Sequence, residues 1–293
     1  MTRAALGLGL AALGRPGYMT VGHDRDLGPA KDPESMERHC HAMLDRAWEL
    51  GIRHVDAARS YGRAEEFLAR WLERRARTPA DLIVSSKWGY TYTAGWRVDA
   101  EKHEVKDHTL PVFLRQLAET RALLGSHLDV YQIHSATLES GVLDDHAVLD
   151  ALADLRDTGV ALGLSVTGTG QAATLDRALG VARRGRSLFT WVQATWNLLE
   201  RSAEPALARA HWAGRKVIVK EALANGRLSD PVQALAAALT RPWATTVLTG
   251  AATLSQLEQS AEALTSKFDE SRLEVPAMDP QVYWSERSRL AWT

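Results

Sequence analysis

Residues 54–66 read His-Val-Asp-Ala-Ala-Arg-Ser-Tyr-Gly-Arg-Ala-Glu-Glu. An apolar strand end stops at Asp56, Tyr61 follows in the loop, Gly62 supplies a turn, and Glu65 stands at an acidic helix start, where the helix dipole favours it. Alone, this is a strand, a turn and a helix. Two later stretches share its form: Ile83-Val-Ser-Ser-Lys87 and Val130-Tyr-Gln-Ile-His134. Each is an apolar, β-like run that ends on a residue able to hold or move a proton.

Working outward, strands and helices alternate along the chain. Helical periodicity is expected at 35–50, where Met36, Met43, Leu44, Ala47 and Leu50 recur before Gly51. It is expected again at 64–76, 109–124, 144–157, 171–183, 203–212, 231–240 and 253–265. Strands are expected at 5–9, 53–57, 81–86, 128–134, 160–165, 189–194, 216–221 and 245–250. Such alternation implies parallel pairing through right-handed crossovers. Eight units in a chain of 293 residues favour an α/β (β/α)8 TIM barrel over a doubly wound sheet. No interdomain linker interrupts the pattern, so residues 1–293 are expected to form a single domain. The irregular stretch 88–108 follows the third strand and would lie over the carboxyl face. Its aromatics Trp88, Tyr90, Tyr92 and Trp96 are candidate pocket walls or packed loop residues. The carboxyl-terminal tail 275–293 is expected over the same face; its Tyr283, Trp284 and Trp292 suggest an apolar, aromatic-lined site, or equally surfaces packed against the barrel or buried in a dimer.

Composition bounds the partners. The formal net charge of −1 gives no electrostatic case for nucleic acid or an anionic membrane. Cys40 is the sole cysteine, so no internal disulfide forms and a cytoplasmic location is expected. His39 and His41 flank it, but adjacent helical positions diverge, and no metal is expected there. The apolar start Met1–Gly14 loosely mimics a signal peptide, yet it is short and rich in glycine, and a buried first strand accounts for it.

In a parallel barrel the carboxyl ends of successive strands are neighbours, so Asp56, Tyr61, Lys87 and His134 are expected around one mouth. Reducing a carbonyl needs hydride at carbon and a proton at oxygen. A free tyrosine has a pKa of about 10 and holds its proton near neutrality. An adjacent ammonium favours phenolate, so Lys87 is expected to lower that value. Asp56 would pair the buried lysine, and a neutral His134 would donate to the carbonyl oxygen.

At this point the chain resembles the aldo-keto reductases. The resemblance rests on Asp56-Ala-Ala-Arg-Ser-Tyr61-Gly62 with Glu65 or Glu66, on Ser85-Ser-Lys87 and on Tyr131-Gln-Ile-His134. Further on it rests on Gly163-Leu-Ser165, Val192-Gln193-Ala-Thr-Trp-Asn-Leu-Leu-Glu200 and Gly250-Ala-Ala-Thr253-Leu-Ser-Gln256-Leu257. These matches run in family order from residue 5 to about residue 265. The resemblance implies an eight-stranded barrel that reduces small aldehydes or ketones with NADPH, less often NADH, or oxidises the alcohols. It implies Asp56, Tyr61, Lys87 and His134 as the catalytic set, and Ser165 with Gln193 on the nicotinamide carboxamide. Trp196 would stack on the nicotinamide. Lys220, Glu221, Ala222 and Leu223 would cover the pyrophosphate. Gly250, Thr253 and Gln256 would surround the adenosine phosphate, where amides at a helix start suit an anion.

The chain departs from the family pattern in three ways. Residues 251–263 hold no basic side chain, which leaves NADH open beside NADPH. Val166 follows Ser165 where many members have asparagine, and the segment after Leu228 is short. The short segment and the phosphate loop without a basic side chain motivate an alternative, a catalytically weak or inactive cofactor-binding barrel that acts as a sensor or as a subunit of an assembly. A lysine-based aldolase through Lys87 is disfavoured, because a neighbouring carboxylate keeps the amine charged.

Overall fold

The computed structural model describes residues 3–269 and 276–293. Its eight parallel strands are β1 (Ala5–Gly9), β2 (His54–Asp56), β3 (Ile83–Trp88), β4 (Val130–Ala136), β5 (Ala161–Val166), β6 (Trp191–Thr195), β7 (Lys216–Lys220) and β8 (Thr246–Thr249). They pair in chain order, and β8 returns to β1, closing the barrel expected from the alternation. Within the glycine-rich amino-terminal run, Ala5–Gly9 forms β1. No described helix is long and apolar enough to cross a membrane.

Strand parity divides the core. One set of side chains turns outward and meets the helices. Helix Ala64–Arg74, for example, buries Phe67, Leu68, Trp71 and Leu72. Truncating a buried tryptophan such as Trp71 to alanine costs roughly 3–5 kcal/mol. The other set fills the barrel, where Val130, Trp191, Ile218 and Leu248 form a separate apolar cluster below the mouth. Above it the inward residues are polar: His54, Asp56, Ser85, Lys87, Gln132 and Gln193 are all buried. Pairing of Asp56 with Ser85, and of Lys87 with Gln132, sets these groups at neighbouring heights.

Several boundaries differ from the expected ones. β3 and β4 start and end two residues later, so Lys87 and His134 lie within their strands rather than at the last position. The helix expected at 171–183 stops at Leu179. Beyond Gly180 a small hairpin, Ala182–Arg183 with Arg186–Ser187, turns at Gly185. The stretch 88–108 is not wholly irregular: Tyr90–Tyr92 pairs antiparallel with Glu104–Lys106. After Leu228 the chain enters helix Pro231–Leu239, capped by Asp230. The tail contains an unexpected helix, Pro280–Ser288, capped by Asp279; residue 275 lies outside the described residues. Cys40 is buried, and no group of metal-ligating side chains occurs among the described residues.

Candidate active site

Lys87 has no exposed surface. Its ammonium donates to Asp56 Oδ2, to the Ala57 carbonyl at 2.9 Å and to Tyr61 Oη at 3.4 Å. A buried ammonium requires such partners, because an unpaired charge in the interior costs several kcal/mol. The other carboxylate oxygen, Asp56 Oδ1, accepts from Ser85 Oγ at 2.6 Å. Gln132 Nε2 and Gln193 Nε2 approach the same oxygen at 3.3 and 3.4 Å. Ser85 spends its proton on the carboxylate, so it accepts from His54 Nε2 at 3.0 Å. His54 Nδ1 is then the acceptor for Thr246 Oγ1 at 3.2 Å. Burial lowers the His54 pKa to about 4, consistent with this neutral tautomer. A one-way donor chain thus runs from Thr246 through His54 and Ser85 to Asp56.

Tyr61 is set by a close backbone approach. Gly62 has φ +59°, and a Cβ there would lie 2.4 Å from the Gly14 carbonyl, which instead accepts from Arg63 N at 2.8 Å. Only glycine fits this position without displacing the loop. His134 is aimed by an irregularity in β4: its register with β5 shifts between Ile133 and Ala136, and Ser135 has φ +51°. The His134 ring meets Tyr61 edge-on at 5.5 Å and Tyr90 at 4.9 Å. Its carbonyl accepts from His108 Nε2 at 2.8 Å.

The electrostatics correct one expectation. The Tyr61 pKa is raised, not lowered: burial and the Asp56 charge outweigh the nearby cations, and Arg15 is the main opposing group. Tyr61 therefore rests as a neutral phenol. His134 is held well below the usual histidine range by burial and by Lys87, so it is a neutral imidazole.

Asp56, Tyr61, His134, Gln193, Lys220, Glu221, Ala222, Leu223, Gly250 and Gln256 line one cleft of about 370 Å³. Lys87 lies beneath it. Ser165, Trp196 and Thr253 are not among its lining residues. Ser165 Oγ accepts from Ser135 N at 2.8 Å. Trp196 does not stack over the cleft: it is buried edge-on against Trp243 and donates from Nε1 to Glu204 at 3.1 Å. It follows the last residue of β6, where strand parity no longer sets direction. Thr253 caps helix Leu254–Glu262 through Gln256 N at 3.2 Å. Gln256 itself bridges Ala252 N and Asp26, at 2.9 and 2.8 Å.

Lys220 enters the cleft from β7 and donates to Thr195 Oγ1 at 2.9 Å; burial lowers its pKa to about 8. Glu221 occupies a left-handed conformation, φ +55°, that costs a non-glycine residue about 1 kcal/mol or more. Arg287 of the tail helix holds it there, donating from Nε at 3.0 and 2.9 Å and also from Nη2. Burial raises the Glu221 carboxyl, but Lys220 and Arg287 outweigh it and bring the pKa down to about 2.

Other expected pocket walls are elsewhere. Trp88 is buried against Phe113 at 4.9 Å, and Trp96 donates to the Lys31 carbonyl at 2.7 Å. Tyr283 is buried, and its Oη accepts from Asn197 Nδ2 at 2.9 Å. Near Tyr61 the wall is instead ionic. Arg15 Nη1 donates to the Ser60 carbonyl at 3.0 Å and to Glu104 at 2.9 Å. Its guanidinium carbon lies 5.2, 5.1 and 4.7 Å from the rings of Tyr61, Tyr18 and Trp292. Neither Arg15 nor Glu104 carries a sequence signal: Arg15 sits in a loop, and Glu104 opens a three-residue strand too short to show a period.

The aldo/keto reductase family model matches residues 5–238. A putative aldo-keto reductase from Pseudomonas aeruginosa is similar in structure, with a TM-score of 0.67 and 26% identity over 89% of this chain and 91% of that one. An aldo-keto reductase from Bacillus halodurans, in its holo form, has a TM-score of 0.68 and 19% identity over 97% of this chain and 92% of that one, a likeness of fold. An uncharacterized oxidoreductase of Bacillus subtilis is 29% identical over 124 residues, 41% of this chain and 36% of that protein's length. With the family pattern spanning most of the barrel, the chain belongs to the aldo/keto reductase family, a family of NAD(P)-dependent oxidoreductases.

Proposed function

We propose that this protein reduces a small aldehyde or ketone with NAD(P)H, or oxidises the corresponding alcohol, with Tyr61 as the proton donor. The observation that carries this reading is the 3.4 Å approach of Lys87 Nζ to Tyr61 Oη above the buried Asp56 carboxylate, beside a neutral His134. The donor set fits a dinucleotide. One continuous cleft joins Tyr61 and His134 to Gly250 and Gln256 at the start of a helix, where main-chain amides favour an anion. Gln193, Lys220, Glu221, Ala222 and Leu223 would hold it between those ends. Ser165 would act from behind Ser135, by ordering that backbone.

The cofactor, when bound, supplies the hydride. The protein's own groups manage the oxygen. His134, neutral, donates to the carbonyl oxygen and orients it. Tyr61, kept protonated by burial, has its proton in place when negative charge develops there. Once the phenol has given that proton, Lys87 stabilises the phenolate. Lys87 thus acts on the product state of the transfer rather than by ionising the resting tyrosine.

At the adenosine end, Arg25 is a cation lining the cleft, but its side chain is 84% exposed and it lies 3.7 Å from Asp26. Gln256 holds Asp26 in the same region. A carboxylate there opposes a 2′-phosphate, which supports use of NADH at least as readily as NADPH.

Tyr61→Phe is expected to lower kcat by roughly 10²–10⁴-fold. Quenching of the ten tryptophans by NADPH and by NADH should keep its midpoint in that variant. Full turnover by Tyr61→Phe would refute the assigned role. Cofactor quenching in the wild type without oxidation of either cofactor across a broad carbonyl panel would favour the sensor or subunit reading.

A further inference from the structure

Beside Tyr61 the cleft wall is an ion pair that the chemistry above does not use. Arg15 is 2% exposed, and Glu104 is partly buried. Of the guanidinium nitrogens, Nη1 alone has protein acceptors among the described residues; Nε is enclosed without one. Nη2 has no acceptor among the described residues and, unlike Nε, is not enclosed. The carboxylate is likewise half used: Oε2 accepts from Arg15, while Oε1 has no donor among the described residues. The pair is rigid, because Ser60 O holds the guanidinium and the rings of Tyr18, Tyr61 and Trp292 surround it. Trp292 is itself stacked on His103 at 4.1 Å. Both Arg15 and Glu104 line the cleft that holds Tyr61 and His134.

We infer that Arg15 and Glu104 form a subsite for a hydroxyl group on the carbonyl substrate, so that short hydroxylated aldehydes or ketones are preferred to plain or carboxylated ones. The inference rests on the reductase reading and specifies its substrate. A hydroxyl is both acceptor and donor, so one group satisfies Nη2 and Oε1 together. An alkyl substituent would cover the pair and leave both atoms desolvated and unpaired, the loss that makes hydrogen-bonding sites reject analogues lacking the polar group. A substrate carboxylate would satisfy Nη2 but meet Glu104 as a like charge. The opposite wall, Glu221 with Arg287, is also ionic.

The test compares two aldehydes on one three-carbon frame and sets a two-carbon carboxylated aldehyde beside them. The purified full chain, with whichever of NADH and NADPH it oxidises, is assayed with glyceraldehyde and with propanal; glyoxylate serves as the carboxylated aldehyde. The expected kcat/KM for glyceraldehyde exceeds that for propanal by roughly 10- to 100-fold, the range set by one or two unmade buried hydrogen bonds. Arg15→Lys, which keeps the charge but not the fork, and Glu104→Gln, which keeps the shape, should each bring that ratio toward one. The change should come mainly through KM for glyceraldehyde. A ratio of two substrates within one variant is insensitive to partial loss of folded enzyme, and Glu104→Gln, at the partly exposed member, guards against an Arg15 variant that fails to fold. Equal or better use of propanal, better use of glyoxylate, or a ratio unchanged in both variants would overturn the subsite and leave the reductase reading standing. No oxidation of cofactor with any carbonyl would remove both.

Discussion

The barrel interior beneath the mouth and the rim above it are both ionic, yet they are built differently. Beneath, Asp56, Lys87, Ser85 and His54 come from two adjacent strands, and their spacing follows from pleat and register. Above, each pair joins distant segments: Arg15 and Glu104 are 89 residues apart, Glu221 and Arg287 are 66 apart. The lower layer is enclosed, so removing one partner strands a charge. The rim groups are also largely buried, but they line the open cleft, so water there partly compensates the same loss. The lower layer should therefore govern stability and proton transfer together, and the rim should govern binding and selectivity.

The largest expected effect is that of Lys87→Met. It leaves Asp56 buried with neutral donors only, at a cost of roughly 3–5 kcal/mol, and removes turnover. Denaturant unfolding measures the first and cofactor oxidation the second. A variant of wild-type stability would break the distinction between the layers.

Glu221→Gln sharpens it from the rim. In the fold its carboxyl pKa is down at about 2, from 4.5. A depressed carboxyl contributes stability that is present above about pH 4.5 and lost as pH falls toward 2. At 1.36 kcal/mol per unit this is about 3 kcal/mol at neutral pH. The gap in unfolding free energy between wild type and variant should thus be widest above pH 5 and close on acidification. A gap independent of pH would mean that Arg287 contributes packing rather than charge.

His54→Phe is the next in size. It leaves Ser85 Oγ and Thr246 Oγ1 without their ring partner, for a loss of roughly 1–3 kcal/mol. Because Asp56 loses an ordered donor chain, kcat should fall while KM holds; a KM change alone would place His54 with the rim. The smallest effect is expected at Trp212, 78% exposed on helix Glu204–Trp212. Trp212→Ser should stay within about 0.5 kcal/mol of wild type by thermal unfolding; a larger shift would reveal a partner surface outside both layers.

Much of this was legible beforehand because it depends on short-range rules. Alternating period and length imply a closed parallel barrel, and strand ends in such a barrel must converge, so Asp56, Tyr61, Lys87 and His134 could be named together. Lys220, Glu221, Ala222, Leu223 and Gly250, named from the family resemblance, also reach the cleft. The rules stop where the chain leaves the strand: Trp196, one residue past β6, turns into the core against Trp243. The direction of the Tyr61 shift was also out of reach, since it depends on how deeply the phenol is enclosed and on Asp56 outweighing the cations.

By itself, then, the sequence determined the barrel, its strand order and the four groups at its mouth, since hydrophobic period and pleat are local properties that parallel closure turns into neighbourhood. Tertiary structure alone decided which loops meet across that mouth. Arg15 finds Glu104, and Arg287 finds Glu221, through contacts with no period, made where a hairpin and a tail helix pack over the mouth of the barrel.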